Sequence, residues 1–249
     1  MKKGTIRLIT MLEGHSISAL IPAYNEAQRI PGVLDVLCRS QFVDNITVID
    51  DGSKDNTAGE ARRFPVNVIQ NRTNRGKAAA LIEGIRHTRS SDIYIFLDAD
   101  LIRLQEEHLT ALVEPLSCNF HLDMTVGIFK GGRGASDLAQ RLCPILNGQR
   151  ALRGEWVRNL PDFSWARFGV EVFLTRFARD FEAKVAMIPL WGISHYHKEE
   201  KYGPIWGFYQ RVKMYYEVTR GYLLYESHIK IPDKVCNERR EEEKAYARV

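Results

Sequence analysis

At 249 residues, with 45% apolar and 27% charged residues, the chain is long enough to bury a substantial core and has the composition of a soluble globular enzyme. A net charge of +4, from 35 basic and 31 acidic residues, is too mild to argue for a nucleic-acid partner. It is compatible with an anionic small molecule or with contact at an acidic membrane surface. Cys38, Cys118, Cys143 and Cys236 are far apart and form no CxxC, which argues against a disulfide framework or zinc site and suits a reduced, cytoplasmic compartment.

In chain order, the opening MKKGTIRLITMLEGHS has a basic head, but its apolar stretch is brief and carries Arg7, so no signal peptide is expected. ISALI (17–21) reads as a strand buried on both faces and runs into PAYNE. A helix follows over 26–39, with Pro31 tolerated in its first turn. ITVID (46–50) is a second strand, ending in DGSKDN, and a helix over 56–63 can take Asp55 or Asn56 as its N-cap. VNVI (66–69) precedes a helix over 76–89, and IYIFL (93–97) runs into DADL before a helix over 105–117. MTVGIFK (124–130) is a further strand, followed by the basic, glycine-rich KGGRG. Beyond it come a helix over 168–181, a strand over 184–190, and one long or two linked helices over 205–228. The closing NERREEEKAYARV is a solvated helix or frayed tail. No segment approaches the roughly 20 apolar residues of a membrane span.

Strand and helix alternate through the first half, which predicts an α/β fold with right-handed crossovers and a largely parallel sheet. Ligands of such sheets sit beyond the carboxyl ends of the strands, where PAYNE, DGSKDN and DADL all fall. Gly76-Lys77 opens a helix whose N–H groups and ammonium suit a phosphate. This is no Walker A loop, because no glycine lies five residues before Gly76 and no Ser or Thr follows Lys77. A GxGxxG after the first strand is also missing, which argues against a dinucleotide oxidoreductase. Asp51 can accept a hydrogen bond from the ring N–H of a base. Asp98 and Asp100, placed on one side by alternation along an extended chain, suit a hard divalent cation that also binds phosphate oxygens.

ALIPAYNEAQRI, VIDDGSKDNTAGEA, NRGKAAAL and IFLDADL, in this order, resemble the nucleotide-sugar-binding half of family 2 glycosyltransferases with the GT-A fold. The resemblance covers about residues 17–130 and implies a single GT-A domain over 1–249, with an acceptor half over about 131–230 and a charged tail from 231. It implies a UDP- or GDP-linked sugar donor held by Pro22, Ala23, Tyr24, Asn25, Glu26, Asp51, Gly76, Lys77, Asp98 and Ala99. It also implies Mn2+ or Mg2+ at Asp100. NGQRALRGE, FGVEVFLT and IPLWGISHYHK resemble the glucosyl-3-phosphoglycerate synthases and related small enzymes. That narrower likeness implies His195, with His197 as a rival, as a second metal ligand, and Glu171 as a donor-sugar contact beside Asp100 in the catalytic set.

Between 130 and 160, six basic residues (Lys130, Arg133, Arg141, Arg150, Arg153 and Arg158) face two acids, Asp137 and Glu155. Gly148, Arg150 and Arg153 are therefore expected at the acceptor, a phosphorylated or acidic small molecule or a polyprenyl phosphate. A solvated basic face is the plainer reading. The aromatic run GPIWGFYQRVKMYYEV reads as core plus helix surface, with a membrane-facing helix or one that pairs in a homodimer as the alternative. Glu155, Asp162 and Glu171 are candidate bases for an inverting transfer, whereas a retaining transfer needs none. The QxxRW string of processive synthases is missing after Gln149. A sugar-nucleotide pyrophosphorylase wants a glycine-rich loop after the first strand, which PAYNEAQRI does not supply. A non-catalytic nucleotide- or carbohydrate-binding protein of the same fold is the rival of another class.

Overall fold

The computed structural model describes residues 12, 14–88, 90–131, 147–195 and 204–230. In its first half, β1 (Ile17–Ala23), β2 (Asn45–Asp50), β3 (Asn67–Gln70) and β4 (Ile93–Phe96) alternate with α1 (Ile30–Arg39), α2 (Thr57–Ala61) and α3 (Lys77–His87). A short β5 (Leu101–Ile102), α4 (Glu106–Cys118) and β6 (Met124–Lys130) follow. The second half holds β7 (Arg150–Arg153), α5 (Gly154–Arg158), a 3-10 turn at Ser164–Gly169, and α6 (Val170–Asp180). It closes with β8 (Val185–Trp191), β9 (Ser194–His195) and α7 (Pro204–His228).

Seven of the described strands form one sheet in the order β3-β2-β1-β4-β7-β6-β8. The pairs β1/β2, β1/β4, β2/β3 and β6/β8 are parallel, as the alternating rhythm predicts, while β7 runs antiparallel to both neighbours. β5 and β9 make a separate antiparallel ribbon. One core cluster gathers α1 and α4 residues such as Leu34, Leu37, Leu112 and Leu116 on one face. A second gathers Leu81 of α3 with Phe163, Phe173 and Tyr225 on the other. Every residue of β4 is buried, as a strand covered on both faces requires. Each such Ile or Phe contributes about 1.5–3 kcal/mol of transfer free energy.

Three expectations are corrected. The first helix starts at Ile30 rather than at 26, because Pro31 occupies its first turn and residues 25–29 form a turn with Asn25 at φ 57°. RALR, given no strand in the sequence reading, is the strand β7. Its composition carries no strand signal, and pairing on both sides overrides that weakness. The alternation argument for Asp98 and Asp100 also fails, since β4 ends at Phe96 and the chain turns at 99–100 before β5. No helix among the described residues is long and apolar enough to cross a membrane.

Candidate active site

The first two loops at the carboxyl edge are laced together by their own backbone. Asn25 N–H donates to Ser53 Oγ (2.9 Å), Glu26 N–H to Thr57 Oγ1 (2.8 Å), and Lys54 N–H to the Asn25 side-chain carbonyl (2.8 Å). Asp51 N–H donates to Ala23 O at 2.8 Å. Pro22–Glu26, the end of β1 and the turn after it, is thus built as a rigid shelf. Glu26 pairs with Arg29 (3.1 Å), so its carboxylate faces its own helix start.

Asp51 is buried, and its carboxylate organises the loop ahead of α3. It accepts from Asn71 Nδ2 (3.1 Å), Arg75 N–H (3.0 Å) and Gly76 N–H (2.7 Å). Burial pushes this carboxyl up, against hydrogen bonds that favour its charged form. Its oxygens are engaged by this loop. Gly52, at φ 72°, has room for no side chain, since a Cβ would lie 2.6 Å from the Thr73 carbonyl carbon. Gly76 takes φ 96°, and a Cβ there would press on Arg167.

Lys77, the first residue of α3, places its ammonium 2.5 Å from Asp98 Oδ1 and 2.5 Å from Glu171 Oε1. Burial alone would lower its pKa, but the two carboxylates outweigh that and raise it, so the ammonium stays charged. Gln149 Nε2 donates to the other Asp98 oxygen at 2.8 Å, and Gln149 Oε1 is buried with no hydrogen-bond partner among the described residues. Gly148 lies against this cluster, where a Cβ would sit 2.5 Å from Lys77 Nζ and 2.7 Å from Asp98 Oδ2. Four segments that are distant in sequence therefore meet at the end of β4. Asp98 is held by a lysine and an amide, not by a position on a strand.

Arg150 and Arg153, expected at the acceptor, both turn their guanidinium groups to protein oxygens. Arg150 is 1% exposed and its guanidinium is spent inside the protein. It donates to Asn147 O (3.1 Å), Glu171 O (3.1 Å) and Thr175 Oγ1 (3.0 Å). Burial pulls it down to about 10, partly offset by Glu171, so it is charged at neutral pH. β7 is antiparallel to β4, so each step from Arg150, opposite Phe96, leads away from the site to Arg153, opposite Ile93. Three residues of strand carry Arg153 about 10 Å off. There it donates to Leu116 O, Asn119 O and Leu122 O. Arg158 likewise donates to Ser90 Oγ, beyond the start of β4. Arg133, Arg141 and His197 lie outside the described residues.

Of the three candidate bases, Glu171 alone reaches the Lys77 cluster. Glu155 lies on the first turn of α5, beside the start of β4, where Gly154 N–H donates to Asp92 O at 2.7 Å, and Asp162 pairs with Arg86 at 3.1 Å. An open cleft lined by Arg75, Ala79, Ser164, Trp165, Arg167 and Arg220 contains none of Asp98, Asp100 and Glu171.

The metal expectation rests on Asp100 and His195. Among the described side chains no three His, Cys, Asp or Glu residues gather closely enough to hold a metal ion, and the His195 side chain lies outside them. The backbone does fit the pair. β5 starts at Leu101, immediately after Asp100, and Leu101 is opposite His195 across the ribbon. A carboxylate and an imidazole on neighbouring positions suit a transition-metal dication.

The Glycosyl transferase family 2 model matches residues 18–173, more than half of the chain. The chain belongs to this family. It is similar to glucosyl-3-phosphoglycerate synthase from Mycobacterium tuberculosis solved with phosphoglyceric acid, at 27% identity and TM-score 0.71, covering 90% of this chain and 84% of that one. The same synthase solved with Mn2+ and UDP-glucose is 26% identical with TM-score 0.72, over 91% and 83%. These neighbours share the GT-A fold. An undecaprenyl-phosphate 4-deoxy-4-formamido-L-arabinose transferase from Pseudomonas fluorescens is 36% identical over 45% of this chain and 35% of its own length. The M. tuberculosis synthase sequence is 28% identical over 55% and 44%. The chain therefore spans about a third to two-fifths of the length of these curated relatives.

Sequence reasoning missed Gln149 and Asn147. Both flank Gly148 in NGQR, the string that carried part of the family likeness, and the polar run before a short strand was the available signal.

Proposed function

We propose that this family 2 chain is a metal-dependent glycosyltransferase that moves one sugar from a UDP-linked donor to a phosphorylated or acidic acceptor. The observation that carries the reading is the Lys77 ammonium held between Asp98 and Glu171 at the end of β4. Such a group, fixed in advance beside a turn of carboxylates, suits a diphosphate leaving group and the sugar attached to it. UDP is preferred because the similar synthase was solved with UDP-glucose and Mn2+. The acceptor class rests on relatives named for phosphoglycerate and for undecaprenyl phosphate.

Asp100 and His195 would hold Mn2+ or Mg2+, which when bound neutralises charge developing on the departing diphosphate. Lys77 exchanges part of its contact with Asp98 for a phosphate oxygen. Glu171, on the first turn of α6, accepts hydrogen bonds from sugar hydroxyls and keeps Lys77 aimed. The Pro22–Glu26 shelf and the Asp51-organised loop frame the base.

Calorimetric titration with UDP, GDP, UDP-glucose and GDP-mannose, each with Mn2+ and with chelator, tests the donor site. Metal-dependent binding of the uridine pair is expected. Asp100→Ala is expected to remove that dependence and lower turnover by about 100-fold or more. Absence of binding to all four by folded protein would sink the reading and leave a non-catalytic member of the family.

A further inference from the structure

The β5–β9 ribbon, which on the reading above carries the metal ligands, is held by very little of itself. Each strand has two residues, Leu101–Ile102 and Ser194–His195. A pair this short is not stable alone in water. Its arms also leave through unusual backbone. Arg103, just after β5, takes φ 60°, and Gly192, just before β9, takes φ 77°. Non-glycine residues at positive φ persist where the surroundings hold them.

His108 supplies such a hold. It sits on the first turn of α4, 6% exposed. Its Nδ1 accepts from Gln105 N–H at 3.1 Å, and its Nε2 lies 2.9 Å from Trp191 O. A carbonyl only accepts, so Nε2 carries the proton, and Nδ1 must be bare to accept from Gln105. Both bonds demand the same neutral tautomer. Gln105 lies three residues after Ile102, and Trp191 lies three residues before Ser194. The imidazole thus crosses from the foot of one arm to the foot of the other.

The bond to Gln105 completes a capping box with the Gln105 side chain and explains itself as helix capping. The bond to Trp191 does not. It joins residues 83 apart in sequence and adds nothing to the cap. We propose that His108 is a positioning residue for the divalent metal, fixing the spacing between Asp100 and His195 by fastening the two arms of their ribbon. This rests on the metal-dependent reading above.

Two isosteric halves of histidine separate this role from capping. His108→Asn keeps an acceptor at the Nδ1 position but cannot reach Trp191. His108→Gln places an amide N–H near the Nε2 position and loses the cap acceptor. The readout is UDP affinity by calorimetry with Mn2+ and again with EDTA, on the full chain, with thermal midpoints recorded alongside. Wild-type protein is expected to bind UDP more tightly with Mn2+. In His108→Asn that enhancement is expected to fall by about 10-fold or more, the usual effect of removing a residue behind a metal ligand, with binding in EDTA unchanged. His108→Gln is expected to stay within about 3-fold of wild type in Mn2+ even where its thermal midpoint drops, because only its helix cap is lost.

Equal enhancement in wild type and His108→Asn overturns the inference, as does a 10-fold loss in His108→Gln. Should His108→Asn not fold, His108→Leu, which fills the site and removes the bond to Trp191, takes its place under the same thresholds. Wild-type protein that binds UDP equally with Mn2+ and EDTA fails at the earlier step, and overturns the metal reading and this inference together.

Discussion

A single hydrogen atom at Gly148 decides whether the ion-pair cluster can form. The Cβ of any larger residue would fall 2.5 Å from Lys77 Nζ and 2.7 Å from Asp98 Oδ2, and neither atom belongs to a loose surface chain. The lysine is clamped by two carboxylates, and Asp98 is held from the far side by Gln149. Gly148→Ala is therefore expected to weaken nucleotide binding by about 10-fold, some 1.4 kcal/mol, while the fold stays intact. Calorimetry with circular dichroism on the same sample checks both halves. Sequence reading reached Gly148, Lys77, Asp98 and Glu171 singly, because each stands in a string with family character. It read Asp51 as a base contact without seeing that this carboxylate holds the Asn71–Gly76 loop. Nothing in DDGS announces that the partner of a carboxylate is a backbone 24 residues later.

At the scale of elements, β7 explains both what was legible and what was not. Strands with runs of Ile, Val and Phe are visible in a linear sequence because burial on two faces demands them. RALR is held instead by ladders to β4 and β6, which no local pattern reveals. Its direction then sorts its arginines. Arg150 enters the core at the site end and ties Asn147 to the first turn of α6, while Arg153 leaves at the opposite edge. Arginine density between 130 and 160 does not separate Arg150 from Arg153, because composition is blind to strand direction. Arg150→Met is expected to lower stability by about 2 kcal/mol, since carbonyls of Asn147 and Glu171 lose a charged donor. Urea unfolding checks this. A normal urea midpoint with a raised acceptor KM would restore Arg150 to the acceptor.

Across the whole molecule, acids at the two ends of the sheet do different work. At the carboxyl edge Asp98 meets Lys77, whereas at the opposite edge carboxylates stitch strand starts together. Asp92 accepts from Ser16 N–H and Ser16 Oγ, both at 2.8 Å, and Asp44 accepts from Ile17 N–H at 2.7 Å. The Ser16 bonds, backbone first, hold the Asp92 carboxyl below its ordinary value of 3.8. A carboxylate depressed in the folded state stabilises in full above the unfolded value, and that contribution is lost as pH falls through the folded one. Asp92→Asn is expected to flatten the acid limb of a stability–pH profile, with the gap from wild type closing as pH falls below the ordinary carboxyl value of 3.8. Thermal midpoints from pH 2 to 7 check it, and parallel profiles would show that Asp92 contributes nothing there.

One end of the sheet remains to be accounted for. Among the described residues β8 is its terminal strand, paired to β6 on one side, with Val185, Met187 and Trp191 exposed along it. An outer strand of that character invites another chain to add itself to the ladder. Pro189, in the middle of β8, contributes no amide hydrogen, so any ladder built outward from this strand meets a position with no donor to offer. A proline there works as a gatekeeper, interrupting the row of outward donors that fibril-like stacking on this apolar border would need.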